Sequence, residues 1–209
     1  MIKQIFLLLL LFFSSDKSIC QTSLEYSNRG IAKMNQNNFD GAIEEFTKAI
    51  KEYPKSAYAY FLRGITKANK QEIEDGLIDI NYAIKLNPIY IEAIVGRGSI
   101  YADRKQFDLA FKDFNKALSI DSTNSEAYAK RGFTNFNLKN YEASNSDFNR
   151  AIKFHPKNTY AYYFRGITKL TTKDFAGAII DFDKVLEITP GFIDARNFKV
   201  RAIDSLKKL

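Results

Sequence analysis

The chain has 209 residues, 45% of them hydrophobic, 26% charged and 14% aromatic, with a formal charge of +7. That is the make-up of an ordinary globular protein, and it excludes a disordered chain, a collagen or a membrane bundle. One cysteine and one histidine cannot assemble a Cys/His zinc site, a disulfide framework, a haem attachment pair or a multi-histidine centre, so neither metal nor cofactor is expected.

At the N-terminus, Lys3 precedes an unbroken apolar run from Ile5 to Phe13, followed by the polar stretch Ser14 to Ser18. Basic, apolar, polar is the order of a secretory leader. The run is too short for a bilayer-spanning helix, which needs about 20 apolar residues. Residues 1–20 are therefore read as a signal peptide cut after Cys20, with Ser18 and Cys20 as the small residues before the cut and Ser15 as a competing site. Ile19 and Lys17 stand where a lipoprotein signal wants a small residue and a leucine, which argues against lipid anchoring at Cys20. Loss of Lys3, Lys17 and Asp16 takes the charge from +7 to +6. The mature chain is expected to be exported, periplasmic or extracellular, with no transmembrane span. A basic chain can bind nucleic acid, but export makes that partner unexpected; it would return only if the leader were misread.

Past the leader, Arg-Gly recurs at Arg29-Gly30, Arg63-Gly64, Arg97-Gly98, Arg131-Gly132 and Arg165-Gly166, always 34 residues apart. Twelve residues after each glycine stand Ala42, Gly76, Ala110, Ser144 and Ala178, and sixteen after stand Phe46, Ile80, Phe114, Phe148 and Phe182. Nineteen after come Ala49, Ala83, Ala117, Ala151 and Val185; twenty-four after come Pro54, Pro88, Ser122, Pro156 and Pro190. Four before are Tyr26, Tyr60, Ile94, Tyr128 and Tyr162.

Each period carries two stretches of helical periodicity, such as 57 to 70 and 74 to 87, joined by a short polar bend, and so predicts a helical hairpin. Gly and Ala let the two helices approach closely, and the Phe fills the wedge beside them. Proline cannot continue a helix and disfavours helical geometry in the residue before it, so its column marks where each second helix stops. In the third period, Asp121, Ser122, Thr123 and Asn124 can end the helix through side-chain hydrogen bonds. One hairpin cannot bury its apolar face alone, so stability must come from stacked neighbours and a more polar terminal cover.

This series resembles the tetratricopeptide repeat, with its 34-residue period and its aromatic, Gly, Ala, Phe, Ala and Pro in the same order. The resemblance covers residues 23–192 as five repeats (23–56, 57–90, 91–124, 125–158 and 159–192), with 193–209 as a capping helix. It implies an all-α fold, a right-handed α-solenoid of stacked antiparallel helix pairs. Departures are Tyr for the usual Trp, Arg for the usual Leu before each Gly, Ser122 for Pro, Val185 for Ala, and Lys33, Lys67 and Lys169 where Tyr is common. In the cap, Ala195, Phe198, Ala202, Ile203 and Leu206 are expected to pack back, with Asp194, Arg196, Lys199, Arg201, Asp204, Lys207 and Lys208 facing water.

Sixteen residues after Arg29, Arg63, Arg97, Arg131 and Arg165 stand Glu45, Asp79, Asp113, Asp147 and Asp181. A hairpin would place each Arg near its acid, where a bidentate pair can form; the expected role is structural, with an arginine ladder for an anionic ligand as the rival. The resemblance further implies that the first helices line a concave groove through the residues six and three before each Gly and one and four after it. From that register Tyr58, Phe61, Ile65, Phe133, Phe136, Tyr160, Tyr163 and Ile167 form an expected contact surface for an apolar or amphipathic segment of a protein partner. Residues one and four after Gly can equally close gaps between first helices, whereas Tyr58, Phe61, Tyr160 and Tyr163 are expected to be exposed. A carboxylate clamp known in the family is absent, since its places hold Ser27, Ile31 and Leu62.

Catalytic machinery is not indicated. There is no phosphate loop and no G-x-S-x-G turn, Gly96-Arg97-Gly98 lacks the third glycine of a dinucleotide loop, and His155 before Pro156 reads as a helix end. The sequence therefore points to a non-enzymatic interaction scaffold, with a glycan-binding accessory that stacks rings on Tyr58, Tyr160 and Tyr163 as the alternative.

Overall fold

A computed structural model describes the backbone from Ile2 to Lys208 and side chains from Ile19 to Lys208. The expected leader, residues 1–20, thus lies almost wholly outside the described side chains. All regular structure among the described residues is helical: α1 (Ile2–Asn35), α2 (Phe39–Glu52), α3 (Ala57–Asn69), α4 (Ile73–Leu86), α5 (Ile91–Asp103), α6 (Phe107–Ile120), α7 (Ser125–Asn137), α8 (Tyr141–Phe154), α9 (Thr159–Thr171), α10 (Phe175–Ile188) and α11 (Ile193–Leu206). Among the described residues no helix is long and apolar enough to cross a membrane. Two compact units divide the chain, Met1–Ile100 and Tyr101–Leu209, with the boundary inside α5 and so inside the third repeat.

Within the first unit α1 packs on α2, α3 on α4, and α2 on α3; within the second, α7 packs on α8, α9 on α10, and α8 and α10 on the helices that follow them. First helices also meet their counterparts in the next repeat, α1 with α3 and α7 with α9. The wedge residues Phe46, Ile80, Phe114, Phe148 and Phe182 have no exposed surface. A Cβ built on Gly166 would lie 2.8 Å from the Phe182 ring, and one on Gly76 would lie 2.6 Å from the Gly64 carbonyl oxygen. The small residues are thus the condition for the close approach of the paired helices.

Local signals set the helix ends. Asn38, Ser56, Asn124, Asn158 and Asp174 cap α2, α3, α7, α9 and α10 by accepting from a backbone N–H three residues on, which satisfies donors that have no partner inside the helix. Helices α2, α4, α8 and α10 stop two residues before Pro54, Pro88, Pro156 and Pro190. In α6 the side chain of Asp121 does the work of the missing proline, accepting from the Thr123 N–H at 2.9 Å. The hairpin bends hold a feature the sequence conceals: Asn37, Gln71, Lys105, Lys139 and Lys173, again 34 apart, all take left-handed backbone with φ of 58–72°, and none is glycine. That geometry costs an L-residue about 1–2 kcal/mol relative to the right-handed form. Lys139→Gly, at an exposed bend, is therefore expected to raise stability by about 1 kcal/mol, read as a higher urea midpoint with an unchanged slope.

In the terminal helix α11, Ala195 and Ala202 are fully buried, while Phe198 stacks on Phe182 at 6.0 Å. Leu206 corrects the expectation for the cap, because it stays 42% exposed in the last turn of α11.

Candidate functional site

The arginine column resolves into a three-way junction. Arg131 donates from Nε and Nη2 to the two carboxylate oxygens of Asp147 at 3.0 and 2.6 Å, and from Nη1 to Asn115 Oδ1 at 2.6 Å. Arg165 does the same with Asp181 at 2.9 and 2.6 Å and Asn149 at 2.6 Å. Arg63 holds Asp79 at 2.8 and 2.7 Å and reaches Thr47 Oγ1 at 3.2 Å, and Arg97 donates to Asn81 at 2.6 Å. Arg63, Arg131 and Arg165 thus each tie their own second helix to the second helix of the preceding repeat. Above Arg63, Arg131 and Arg165 lie the rings of Tyr60, Tyr128 and Tyr162, with centroids 5.4–5.5 Å away. Arg29, in the first repeat, meets Glu45 at only 3.3 Å and stays 57% exposed.

The acids are shared further. Lys67 reaches Asp79 at 2.8 Å, Asn135 reaches Asp147 at 3.1 Å and Lys169 reaches Asp181 at 2.9 Å, so the lysines that displace the usual Tyr become second partners of buried carboxylates. Lys33 does this for Glu45, and its hydrogen bond is the main reason that carboxyl is held below its ordinary range. The guanidinium groups of Arg63, Arg131 and Arg165 are engaged on two sides, whereas a free ladder for an anionic ligand would need them open. The Asn partners were missed from sequence, although Thr47, Asn81, Asn115, Asn149 and Asp183 recur sixteen residues before the arginine place. In the cap, Lys199 occupies that place and pairs with Asp183 at 2.5 Å.

The expected groove residues divide in their exposure. Tyr58 is 39% exposed. Phe61, Tyr160 and Tyr163, expected to be exposed as well, are half-buried because neighbouring first helices and the residues after them cover their rings. In the first unit Phe61 meets Tyr90 edge-on at 5.3 Å, and Phe61 and Ile65 lie where a Cβ on Gly96 would be 3.0 and 3.2 Å away. In the second unit Phe133 packs against Phe164 at 4.6 Å and Tyr160 at 6.0 Å, and Phe136 against Tyr141 at 5.8 Å. Tyr163 lies among Phe164, Phe192 and Phe198 at 4.9–6.0 Å, with Ile167 packed on the same core.

Beside this aromatic layer the second unit has an open hollow of about 400 Å³, lined by Glu126, Ala129, Lys130, His155, Lys157, Asn158, Thr159 and Tyr160. Tyr160 forms its apolar wall, tilted against Phe164 at 4.5 Å, with burial pushing its phenol up and keeping it neutral. Lys130 Nζ stands 4.8 Å above the Tyr160 ring. Asn158 anchors the rim, accepting from the Ala161 N–H at 2.9 Å and donating to Ser125 Oγ at 2.9 Å. Glu126, Ala129 and Tyr160 fall in the groove register read from sequence. Lys130, His155 and Lys157 do not, since Lys130 lies on α7 just beside that register, one turn after Glu126, and the other two come from the end of α8 and the α8–α9 bend, which a one-helix register leaves out. Among the described residues no group of three or more His, Cys, Asp or Glu side chains could hold a metal.

Family models of the tetratricopeptide repeat match residues 23–56 and 136–191, and a TPR repeat model matches 98–139. Together they span more than half of the chain. No curated protein matches the sequence significantly. Among solved structures, PilW, a widely conserved type IV pilus biogenesis factor, aligns with a TM-score of 0.79 at 17% identity, over 90% of this chain and 87% of that one. A thermophilic TPR protein of Thermus thermophilus aligns with a TM-score of 0.74 at 17% identity, over 88% of this chain and 98% of that one. A chain of the APC/C hetero-tetramer Cut9-Hcn1 aligns with a TM-score of 0.77 at 17% identity, over 87% of this chain but 36% of the other. At this identity the likeness is one of fold. The 34-residue period, the paired helices and the matching family models establish that this chain belongs to the tetratricopeptide repeat family.

Proposed function

We propose that the protein is an exported, non-enzymatic scaffold that binds a segment of a partner protein on the first-helix face of its second unit. The observation that carries this is the hollow beside Tyr160, where an aromatic wall is flanked by Lys130, Lys157 and His155 against the single carboxylate of Glu126. Stacked helical repeats use such faces for binding. An apolar side chain resting on Tyr160 with an acidic neighbour reaching Lys130 or Lys157 fits this combination of shape and charge. The half-burial of Phe133, Tyr163 and Ile167 gives them a supporting role, as the rigid floor that holds Tyr160 in place. An assembly or envelope role is in keeping with the fold likeness to PilW, a pilus biogenesis factor. The glycan alternative loses force, because Tyr163 has its ring packed among phenylalanines and Tyr160 is covered on one side by Phe164.

A peptide array probed with the purified protein tests the binding reading. Bound peptides are expected to pair an acidic with an apolar residue, and Lys130→Glu with Lys157→Glu is expected to weaken them by about 10–100-fold while leaving the melting temperature within a few degrees. Unchanged binding by the double variant removes the hollow from the proposal. N-terminal sequencing of protein from the cell envelope tests export, with residue 21 expected first and Met1 contradicting it.

A further inference from the structure

On the outward side of α4, Asp75, Ile78, Tyr82 and Lys85 lie at spacings of three, four and three, which places them within about an 80° sector of one helix face. All four are exposed, Ile78 by 65% and Tyr82 by 40%. Packing within the repeat does not require this apolar pair: the Tyr82 place is Lys48, Lys116, Arg150 and Lys184 in the other repeats. There a cation can cover the first-helix tyrosine, as Arg150 does over Tyr128 at 5.7 Å. In the second repeat Tyr82 takes that position instead, its ring 4.5 Å from Tyr60. An open depression of about 440 Å³ lies beside the pair, lined by Tyr60, Ile78, Asp79, Asn81, Tyr82 and Lys85. Asp79 is neutralised by Arg63 and Lys67, and Asn81 is held by Arg97, so the stripe keeps Asp75 at one end and Lys85 at the other as its charges.

We infer that this stripe is a homodimer contact, in which α4 of a second copy packs antiparallel on α4. The order acidic, apolar, apolar, basic is self-complementary under a two-fold axis passing near Ile80: Ile78 meets the partner's Tyr82, and Asp75 meets the partner's Lys85, each contact occurring twice. The same operation on α6 would bring Lys112 of one copy against Lys116 of the other, twice, so the second repeat is suited to the contact where the third is not. One helix face supplies a small interface, below about 1,200 Å² in total, which belongs to the transient class. The contact lies on a second helix, apart from the first-helix face assigned to the partner segment, and does not depend on that assignment.

Sedimentation equilibrium of the full chain over about 5–500 µM is the test. The wild type is expected to pass from monomer towards dimer, and Ile78→Lys with Tyr82→Lys to remain monomeric. Asp75→Lys and Lys85→Asp singly are each expected to weaken association at least about ten-fold, because one reversal turns two attractive contacts into repulsive ones. The double reversal Asp75→Lys, Lys85→Asp is expected to restore affinity to within about three-fold of wild type, since the pairs re-form with exchanged signs. Thermal melts of every variant confirm that the repeat remains folded. A wild type that is monomeric throughout, an association indifferent to the Ile78 and Tyr82 changes, as one through the apolar run before residue 14 would be, or a double reversal that fails to recover would overturn the inference.

Discussion

Phe148→Ala is expected to lower the free energy of unfolding by about 3–5 kcal/mol. The ring has no exposed surface and packs with Tyr128, Ala129, Ala151 and Ala161. A Cβ on Gly132, in the paired helix, would lie 3.1 Å from it, so the ring fills the space beside that glycine and its removal opens a gap between α7 and α8. The loss therefore combines the transfer of the ring with a cavity that persists. It also reaches beyond one hairpin, because a repeat array owes its stability to neighbour interfaces as much as to each unit. Urea unfolding of the variant should show a much lower midpoint and, where the fourth repeat melts ahead of its neighbours, a shallower slope. Ile180→Ala, at an exposed place on α10, should change stability by less than about 0.5 kcal/mol. A loss below about 1 kcal/mol for Phe148→Ala would show that the Gly–Phe wedge is not what holds the hairpin together.

The second large effect is expected at the arginine column, and it should differ along the array. Arg165→Met leaves Asp181, which is fully buried, with Lys169 as its remaining cation and breaks the link to Asn149; a loss of about 3 kcal/mol is expected. Arg29→Met removes a longer contact made by a side chain in water and should cost no more than about 1 kcal/mol. Replacing both members, Arg165→Met with Asp181→Leu, should recover much of the loss, because the penalty comes chiefly from a buried charge left short of partners. Melting curves of the three variants decide the matter. Equal losses at positions 29 and 165 would mean that the column acts through something other than the buried ion pair.

The parts of this fold that were legible in the sequence are those that recur. Gly132 and Phe148, Pro156 after α8, and the helix-ending Asp121 each repeat or replace a column 34 residues away, and helix periodicity converts that column into a face. What escaped depends on which neighbour covers a face, and a register on a single helix does not contain that. Tyr163 reads from its register as an exposed residue of α9, but its burial is decided by Phe192 and Phe198, which belong to the bend and the cap. Asn81, Asn115 and Asn149 recur in a polar column 34 residues apart, yet their partner is one repeat away, so pairing within a hairpin overlooked them. Lys139 at a left-handed bend carried no glycine to betray it, and the cations around Tyr160 come from two separate segments that only the folded chain brings together.

The most direct test of the central claim, that the first-helix face of the second unit binds a partner segment, is site-specific photocrosslinking in the native cell envelope. A benzophenone amino acid is placed at Glu126, on the rim of the hollow, and separately at Ser146, exposed on α8. The account predicts a discrete protein adduct from position 126 that disappears when Lys130 and Lys157 are changed to glutamate, and none from position 146. An adduct from 146 with nothing from 126, or an adduct at 126 indifferent to the two lysines, would contradict it.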